Sequence, residues 1–451
     1  MANTLHLDQA RLPAGWARDV ALTVENGVIT AIATGADPGS VPGGAERVKG
    51  AAVPALTNLH SHAFQRAMAG LAERARAGVE DFWAWREAMY RFLDRLTPDQ
   101  MEAIAAMLYA ELAEGGYAGV VEFHYLHNAP DGRAYADPAE TAHAHRRAAA
   151  TAGLGLTLAP VLYSHGGFGS LPPTDGQRRF IKSTDAFLTL LEASKAEALA
   201  FHSLRAVSPG QMARVLAAVD PALPVHIHAA EQTGEVDDCL AWSGLRPVEW
   251  LLANAPLSSR WTLVHATHMI DAEAAGLARA GATVALCPST EGNLGDGFFN
   301  ADAFLGAGGA FGIGSDSHVT TNAPEELRWF EYGRRLLARK RTLGSGSDTA
   351  AGEHVGAGLW LSAARAGGNP TGRPTGQIAV GARCDLVILD PDHPTLAGRS
   401  GDLLLDSLVF SGSGGIAEVW SAGRRIVEHG RHVARDAIAA RYRAALSELS
   451  A

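Results

Sequence analysis

The sequence predicts an α/β fold: a (β/α)8 barrel with an accessory β-sandwich formed by the N- and C-terminal segments. Three observations lead there. Eight apolar, strand-like runs recur between about residues 53 and 370, separated by Ala/Leu/Arg/Glu-rich stretches such as QMEAIAAMLYAELAEGG and DAEAAGLARAG, the alternation of parallel βα units. Polar residues fall at the C-terminal end of nearly every run, where such a barrel carries its working face. Both ends of the chain hold short alternating segments that neither end can complete alone. An open doubly wound sheet is the competing architecture, but no GxGxxG follows the first run.

The elements follow in order. In ALTVENGVITAIA two apolar alternations break at Glu25-Asn26-Gly27, a hairpin signal. The eight runs are VPALTNLHSH, GYAGVVEFHYLH, GLGLTLAPVLYSH, ALAFHSLRAVSP, LPVHIHAAE, RWTLVHATHM, ATVALCPST and AFGIGSDSH. After them CDLVILD and GIAEVWSAGRRIVEHGRHV read as strands around a glycine-containing turn, and Asp436 to Leu449 has helical spacing. The expected domains are residues 1–52 (first part of the sandwich), 53–370 (the barrel) and 371–451 (the rest of the sandwich and a terminal helix).

Composition narrows the function. The chain has 451 residues, 47% hydrophobic and 19% charged, ample for a large core. Lys+Arg 38 against Asp+Glu 48 gives a net charge of -10, which argues against a nucleic-acid partner. No run of 18 apolar residues exists, so no membrane-spanning helix is expected. The start, MANTLHLDQARLPAGWARDV, has no basic region leading into an apolar one, so no signal peptide is expected either. Three scattered cysteines (Cys239, Cys287, Cys384) suit neither a disulfide framework nor a thiolate zinc cluster and point to the cytoplasm. The 18 histidines gather at the ends of apolar runs.

Those histidines suggest chemistry. His60 and His62 are two apart on the first barrel strand, so both point to one face. The fifth run carries His226, His228 and Glu231, the sixth His265, and the eighth Asp316. In a closed barrel these end on one rim, and three nitrogens with one carboxylate oxygen suit Zn2+ or Fe2+. His228 lies nearer the strand's C-terminal end than His226 and is the expected ligand of the pair. Glu231, three residues on, stands where a proton shuttle beside an activated water belongs. The fourth run has no lysine, Lys195 preceding it, so no carbamate bridges a second ion and one metal per chain is expected.

HSHAFQRAMAGLAE, HAAEQTGEV, CPSTEGNLGDG and GSDSH together resemble the amidohydrolase superfamily, in its deaminase branch, and within that branch the formimidoylglutamate deiminases. The likeness runs through the whole chain, including VGARCDLVILD, where the accessory sandwich resumes. The resemblance implies that His60, His62, His228 and Asp316 hold one zinc, with Asp316, Glu231 and His265 as catalytic groups. Asp316 would take the water's proton, Glu231 would protonate the imino nitrogen and His265 would steady the tetrahedral intermediate. It places substrate binding on Gln65, Arg86, Tyr125, His202 and Arg205. The implied reaction is hydrolytic deimination of N-formimino-L-glutamate, in histidine degradation, by a cytoplasmic homodimer.

The residues fit that implication. An arginine at the end of the fourth strand is costly in a barrel mouth unless an anion answers it, so Arg205 is expected to pair with a substrate carboxylate. The alternative is a deaminase of a purine base or nucleoside, which would share every metal and acid-base residue but offer the arginines no carboxylate. A noncatalytic barrel scaffold is disfavoured by the complete ligand set. The roles of His318, His268 and Glu291 stay open at this level.

Overall fold

The computed structural model describes residues 3–36, 45–71, 73, 89–90, 92–344, 352–412 and 414–450. The N-terminal strands are β1 (Asn3–Leu12), β2 (Gly15–Glu25), β3 (Val28–Ala33) and β4 (Glu46–Pro54). β2 and β3 pair through a two-residue turn, Asn26-Gly27, with φ of 50° and 82°. Positive φ at both central residues is what Asn-Gly supplies and what a tight hairpin requires.

The barrel strands follow: β5 (Leu56–Ser61), β6 (Tyr117–His124), β7 (Gly155–Leu162), β8 (Leu199–Phe201), β9 (Val225–Ala229), β10 (Trp261–His265), β11 (Thr283–Leu286) and β12 (Ala310–Ile313). Each of the eight apolar runs supplies one, and they are hydrogen-bonded in chain order. Closure comes just beyond β12. Asp316 N donates to His60 O at 3.0 Å and His62 N donates to Asp316 O at 3.3 Å. The strands are buried on both faces, as parallel strands wrapped by helices must be, which is why they read as near-continuous apolar runs.

Two of the helices that follow barrel strands show caps the sequence supplies. Thr97 precedes Pro98–Glu114 with Gln100 completing a capping box, and Ser208 precedes Pro209–Ala218 with Gln211 in the same role. The polar strand ends open onto the loops that lead into the helices, and these loops form the rim.

The chain ends with β13 (Leu386–Leu389), β14 (Ile416–Ser421), β15 (Arg424–Glu428), β16 (Arg431–His432) and the helix Arg435–Ser450. These strands join the N-terminal ones in one eight-stranded sheet, ordered β16-β15-β14-β13-β4-β1-β2-β3. The sheet curls over its own apolar face. Cys384 N donates to Gly27 O and Gly423 N to Cys384 O, both at 2.8 Å, so the β2–β3 turn meets the entry to β13 and the β14–β15 turn. Leu5, Leu7, Leu22, Ile29, Leu386 and Trp420 pack inside. The layer is tied to the lower end of the barrel, away from the rim: Ser421 Oγ donates to Ala118 O at 3.1 Å and Trp360 Nε1 to Pro54 O at 2.9 Å.

Candidate metal centre and active site

The side chains expected at the rim are brought together by an abrupt change of backbone at the strand ends. Ala230, His265 and Asp316 have φ of 53°, 65° and 44°. Such left-handed conformations are uncommon outside glycine, though His and Asp tolerate them best, and they cluster at functional sites. Here they turn the chain out of β9, β10 and the closing segment while leaving the side chains aimed inward. His60, His62, His228, Glu231, His265 and Asp316 are all more than nine-tenths buried.

Three imidazoles and a carboxylate converge. His60 Nε2 lies 3.1 Å from His62 Nε2 and 3.0 Å from His228 Nε2, and Asp316 Oδ1 lies 3.3 Å from both His60 Nε2 and His62 Nε2. The tautomers follow from the neighbours. His62 Nδ1 faces Phe123 O at 3.0 Å and His228 Nδ1 faces His202 O at 2.9 Å, and a carbonyl only accepts. Both Nδ1 atoms therefore carry the proton, and both Nε2 lone pairs point at the same space. Burial drives His60 and His228 well below the ordinary imidazole range, each neighbouring histidine adding to the effect, and burial lowers His62 despite Asp316. Neutral imidazoles with converging lone pairs repel one another unless a cation sits between them. A tetrahedral ion with bonds of ~2.0–2.1 Å spaces its ligands by roughly 3.3 Å, so the donor set fits such an ion.

Beside this cluster, His265 Nε2 lies 3.7 Å from Glu231 Oε1 and 3.9 Å from Asp316 Oδ2. Its Nδ1 is 3.3 Å from Glu291 Oε1. Burial alone would lower its pKa, but Glu231, the Glu291 hydrogen bond and Asp316 outweigh burial and raise it to about 10. The pKa of Glu231 is raised, chiefly by burial.

The cluster opens into a cavity with about 590 Å³ of empty space, its open mouth included, whose wall contains His62, His228, Glu231, His265 and Asp316. Gln65, Tyr125, His202 and Arg205 line it too, so four of the five residues expected to bind substrate share the space with the cluster. Arg86 lies outside the described residues. Gln65 Nε2 donates to Tyr125 OH at 3.1 Å, which leaves Gln65 Oε1 buried without a partner. Arg205 Nε is also buried without a partner, and the guanidinium has no ion-pair partner among the described residues. Burial opposes its charge, but Glu235 and Glu231 at longer range more than compensate and raise its pKa.

Several histidines prove structural. His226 Nε2 meets Pro370 O at 2.9 Å, lower in the barrel. His268 Nε2 meets Asp296 O at 2.9 Å. His318 is fully buried against Ser315 Oγ (2.8 Å) and Ser61 Oγ (3.4 Å) rather than lining the cavity. Arg66 turns away to Glu111, 2.6 Å. The structure adds residues that sequence reasoning passed over. Met89, Tyr90, Tyr163, Phe180 and Leu294 complete the cavity wall. Glu122 accepts from Ser61 Oγ at 2.7 Å and Ala63 N at 2.8 Å, bracing the turn that carries His60 and His62. Its place on the run that ends EFHYLH was the only available signal, and the bracing partners are far away in sequence.

The Amidohydrolase family profile matches residues 51–426. The chain belongs to the amidohydrolase family. It is thus a hydrolase whose family depends on metal ions, which suits the donor set above. Residues 2–48 match a second profile, the N-terminal domain of formimidoylglutamate deiminase HutF. A formimidoylglutamate deiminase of Pseudomonas aeruginosa is 50% identical to this amidohydrolase over 457 residues, covering 99% of each chain. A 5-methylthioadenosine/S-adenosylhomocysteine deaminase of Natronomonas pharaonis is 30% identical over 352 residues, 76% of this chain and 74% of its own. Among solved structures, an amidohydrolase from Brucella melitensis superposes with a TM-score of 0.93 at 44% identity, covering 100% of both chains. The resemblance read from the motifs is therefore present along the whole chain.

Proposed function

We propose that this amidohydrolase hydrolyses N-formimino-L-glutamate to N-formyl-L-glutamate and ammonia, a step of histidine degradation. One observation carries the reading beyond the similarity to the Pseudomonas enzyme. The guanidinium of Arg205, without an ion-pair partner among the described residues, stands in the same cavity as the imidazole–carboxylate cluster, so an acidic substrate with a reactive amidine at its other end answers both.

His60, His62, His228 and Asp316 would hold one divalent cation, zinc in this reading, with iron suited to the same donors. When bound, it supplies Lewis acidity that brings the pKa of a water toward neutrality. A single ion is favoured because no lysine lines the cavity among the described residues. Asp316 accepts a proton from the attacking water as its oxygen adds to the formimidoyl carbon. Glu231, whose pKa burial raises, gives a proton to the imino nitrogen. His265 donates from Nε2 to the oxygen of the tetrahedral intermediate. On collapse the hydroxyl proton returns to Glu231, the C–N bond breaks and the proton held by Asp316 leaves with ammonia. Arg205 grips a substrate carboxylate, while Gln65, Tyr125, His202 and Arg86 complete the binding site. Three cysteines without disulfides support a cytoplasmic location.

The 30% identity to an adenosine-derivative deaminase favours a second reading, deamination of a purine nucleoside. Adenosine and guanine carry no carboxylate and leave Arg205 unanswered, whereas S-adenosylhomocysteine carries one at its amino-acid end. Ammonia release from N-formimino-L-glutamate, adenosine, guanine and S-adenosylhomocysteine decides between them. The proposal expects the first to dominate, and a purine turned over faster overturns it.

A further inference from the structure

Glu291 belongs to no part of the mechanism above, yet it touches the catalytic histidine. It sits in the first turn of the short helix Pro288–Leu294, following β11, and is 6% exposed. Its Oε1 accepts from Cys287 N at 2.8 Å, and the same oxygen is 3.3 Å from His265 Nδ1. The backbone hydrogen bond fixes the carboxylate, and the carboxylate in turn fixes the ring. His265 needs such a hold. Its φ is 65°, and the ring stacks on His228 at 5.5 Å, a contact that does not fix which way its nitrogens point. On the opposite edge, Nε2 faces Glu231 Oε1 and Asp316 Oδ2 only at 3.7 and 3.9 Å, too far to anchor it.

We propose that Glu291 is the positioning residue for His265: it holds the Nδ1 edge so that Nε2–H is presented to the reacting oxygen. The inference rests on the functional reading above. The physical logic is that of any carboxylate-backed histidine, in which the far carboxylate fixes ring orientation and the proton on the near nitrogen while touching no substrate. Glu291 is absent from the wall of the substrate cavity, so its loss acts on the chemical step and not on binding.

Two variants test it. Glu291→Gln keeps an oxygen that can accept from both Cys287 N and His265 Nδ1 but removes the charge. Glu291→Met keeps the volume and removes the acceptor. The expected result is a graded loss of kcat, roughly tenfold for Gln and about a hundredfold for Met, on the scale of substitutions behind metal-site histidines. KM and bound metal per chain should stay within about twofold of wild type, the pattern of a lost transition-state interaction. A crystal structure of Glu291→Met should show the His265 ring turned from its wild-type orientation. If Glu291→Met does not fold, Glu291→Gln carries the kinetic test. Wild-type kcat retained in both variants, a loss that follows metal content or KM instead of kcat, or an unmoved ring in Glu291→Met overturns the proposal. If wild-type protein itself releases no ammonia from N-formimino-L-glutamate, the functional reading fails instead, and the ring orientation still decides the role of Glu291.

Discussion

Asp316 and His60 meet twice. The Asp316 main-chain N–H donates to His60 O at 3.0 Å, closing the barrel, and its carboxylate Oδ1 lies 3.3 Å from His60 Nε2 in the donor cluster. One residue pair thus joins the last strand to the first and gathers the ligands. Barrel closure and metal binding are coupled through it, since nothing that separates the strands leaves the donor set intact.

Metal removal should therefore affect both activity and stability. Chelation is expected to abolish ammonia release and to lower Tm, because an ion bound only by the folded chain stabilises it by mass action. Added zinc should restore both. Elemental analysis of the purified protein should give about one ion per chain, and two would contradict the single-ion reading.

Arg205→Met should separate function from stability. The guanidinium is part-buried and has no ion-pair partner among the described residues, while Glu235 and Glu231 at longer range offset the burial of its charge, so replacing it should change Tm little. Without it a substrate carboxylate goes unanswered, and kcat/KM should fall by roughly 10²–10³, or ~2–5 kcal/mol. Steady-state kinetics beside thermal unfolding would show this, and an unchanged kcat/KM would remove Arg205 from the site.

Gly314 is required by close approach. A Cβ there would lie 2.7 Å from His60 Cβ and 2.9 Å from His60 N, both held in the barrel wall. Gly314→Ala should cost about 1–3 kcal/mol of stability through overpacking. By displacing His60 it should also weaken zinc affinity, about tenfold or more, as disturbed ligand support does. Competition against a chelator of known affinity would measure it, and wild-type affinity in the variant would show that β5 yields freely.

Glu326 sets a pH dependence away from the site. Burial pushes it up to about 8, although it accepts from Ser289 N and Oγ. Its folded pKa exceeds the unfolded value of 4.5, so the proton is kept on folding and lost on unfolding. Its contribution is fully present below about pH 4.5 and fades as pH rises through 8. Glu326→Gln mimics the protonated form. Its stability relative to wild type should rise by a few kcal/mol between pH 5 and pH 8, at ~1.4 kcal/mol per unit of pKa difference. Denaturant titrations at both pH values would show it, and a pH-independent difference would mean the carboxylate is already charged in the fold.

Much of this was legible in the sequence because it rests on local periodicity. Two-residue spacing put His60 and His62 on one face, and position along the fifth strand separated His228 from His226. The Asn26-Gly27 turn announced its hairpin by composition alone. The same periodicity fails at His318, two residues after Asp316, because both have positive φ and strand alternation no longer applies. His318 accordingly faces Ser315 and Ser61 behind the rim. Glu122 and Glu291 were illegible as supports, since each acts on a segment brought near only by barrel closure.

Anomalous diffraction at the zinc edge from metal-replete crystals tests the centre most directly. The account predicts one peak per chain, with His60, His62 and His228 Nε2 and an Asp316 oxygen as its protein ligands at ~2.0–2.2 Å. A peak elsewhere, a second ion in the cavity, or none at these four side chains would contradict it.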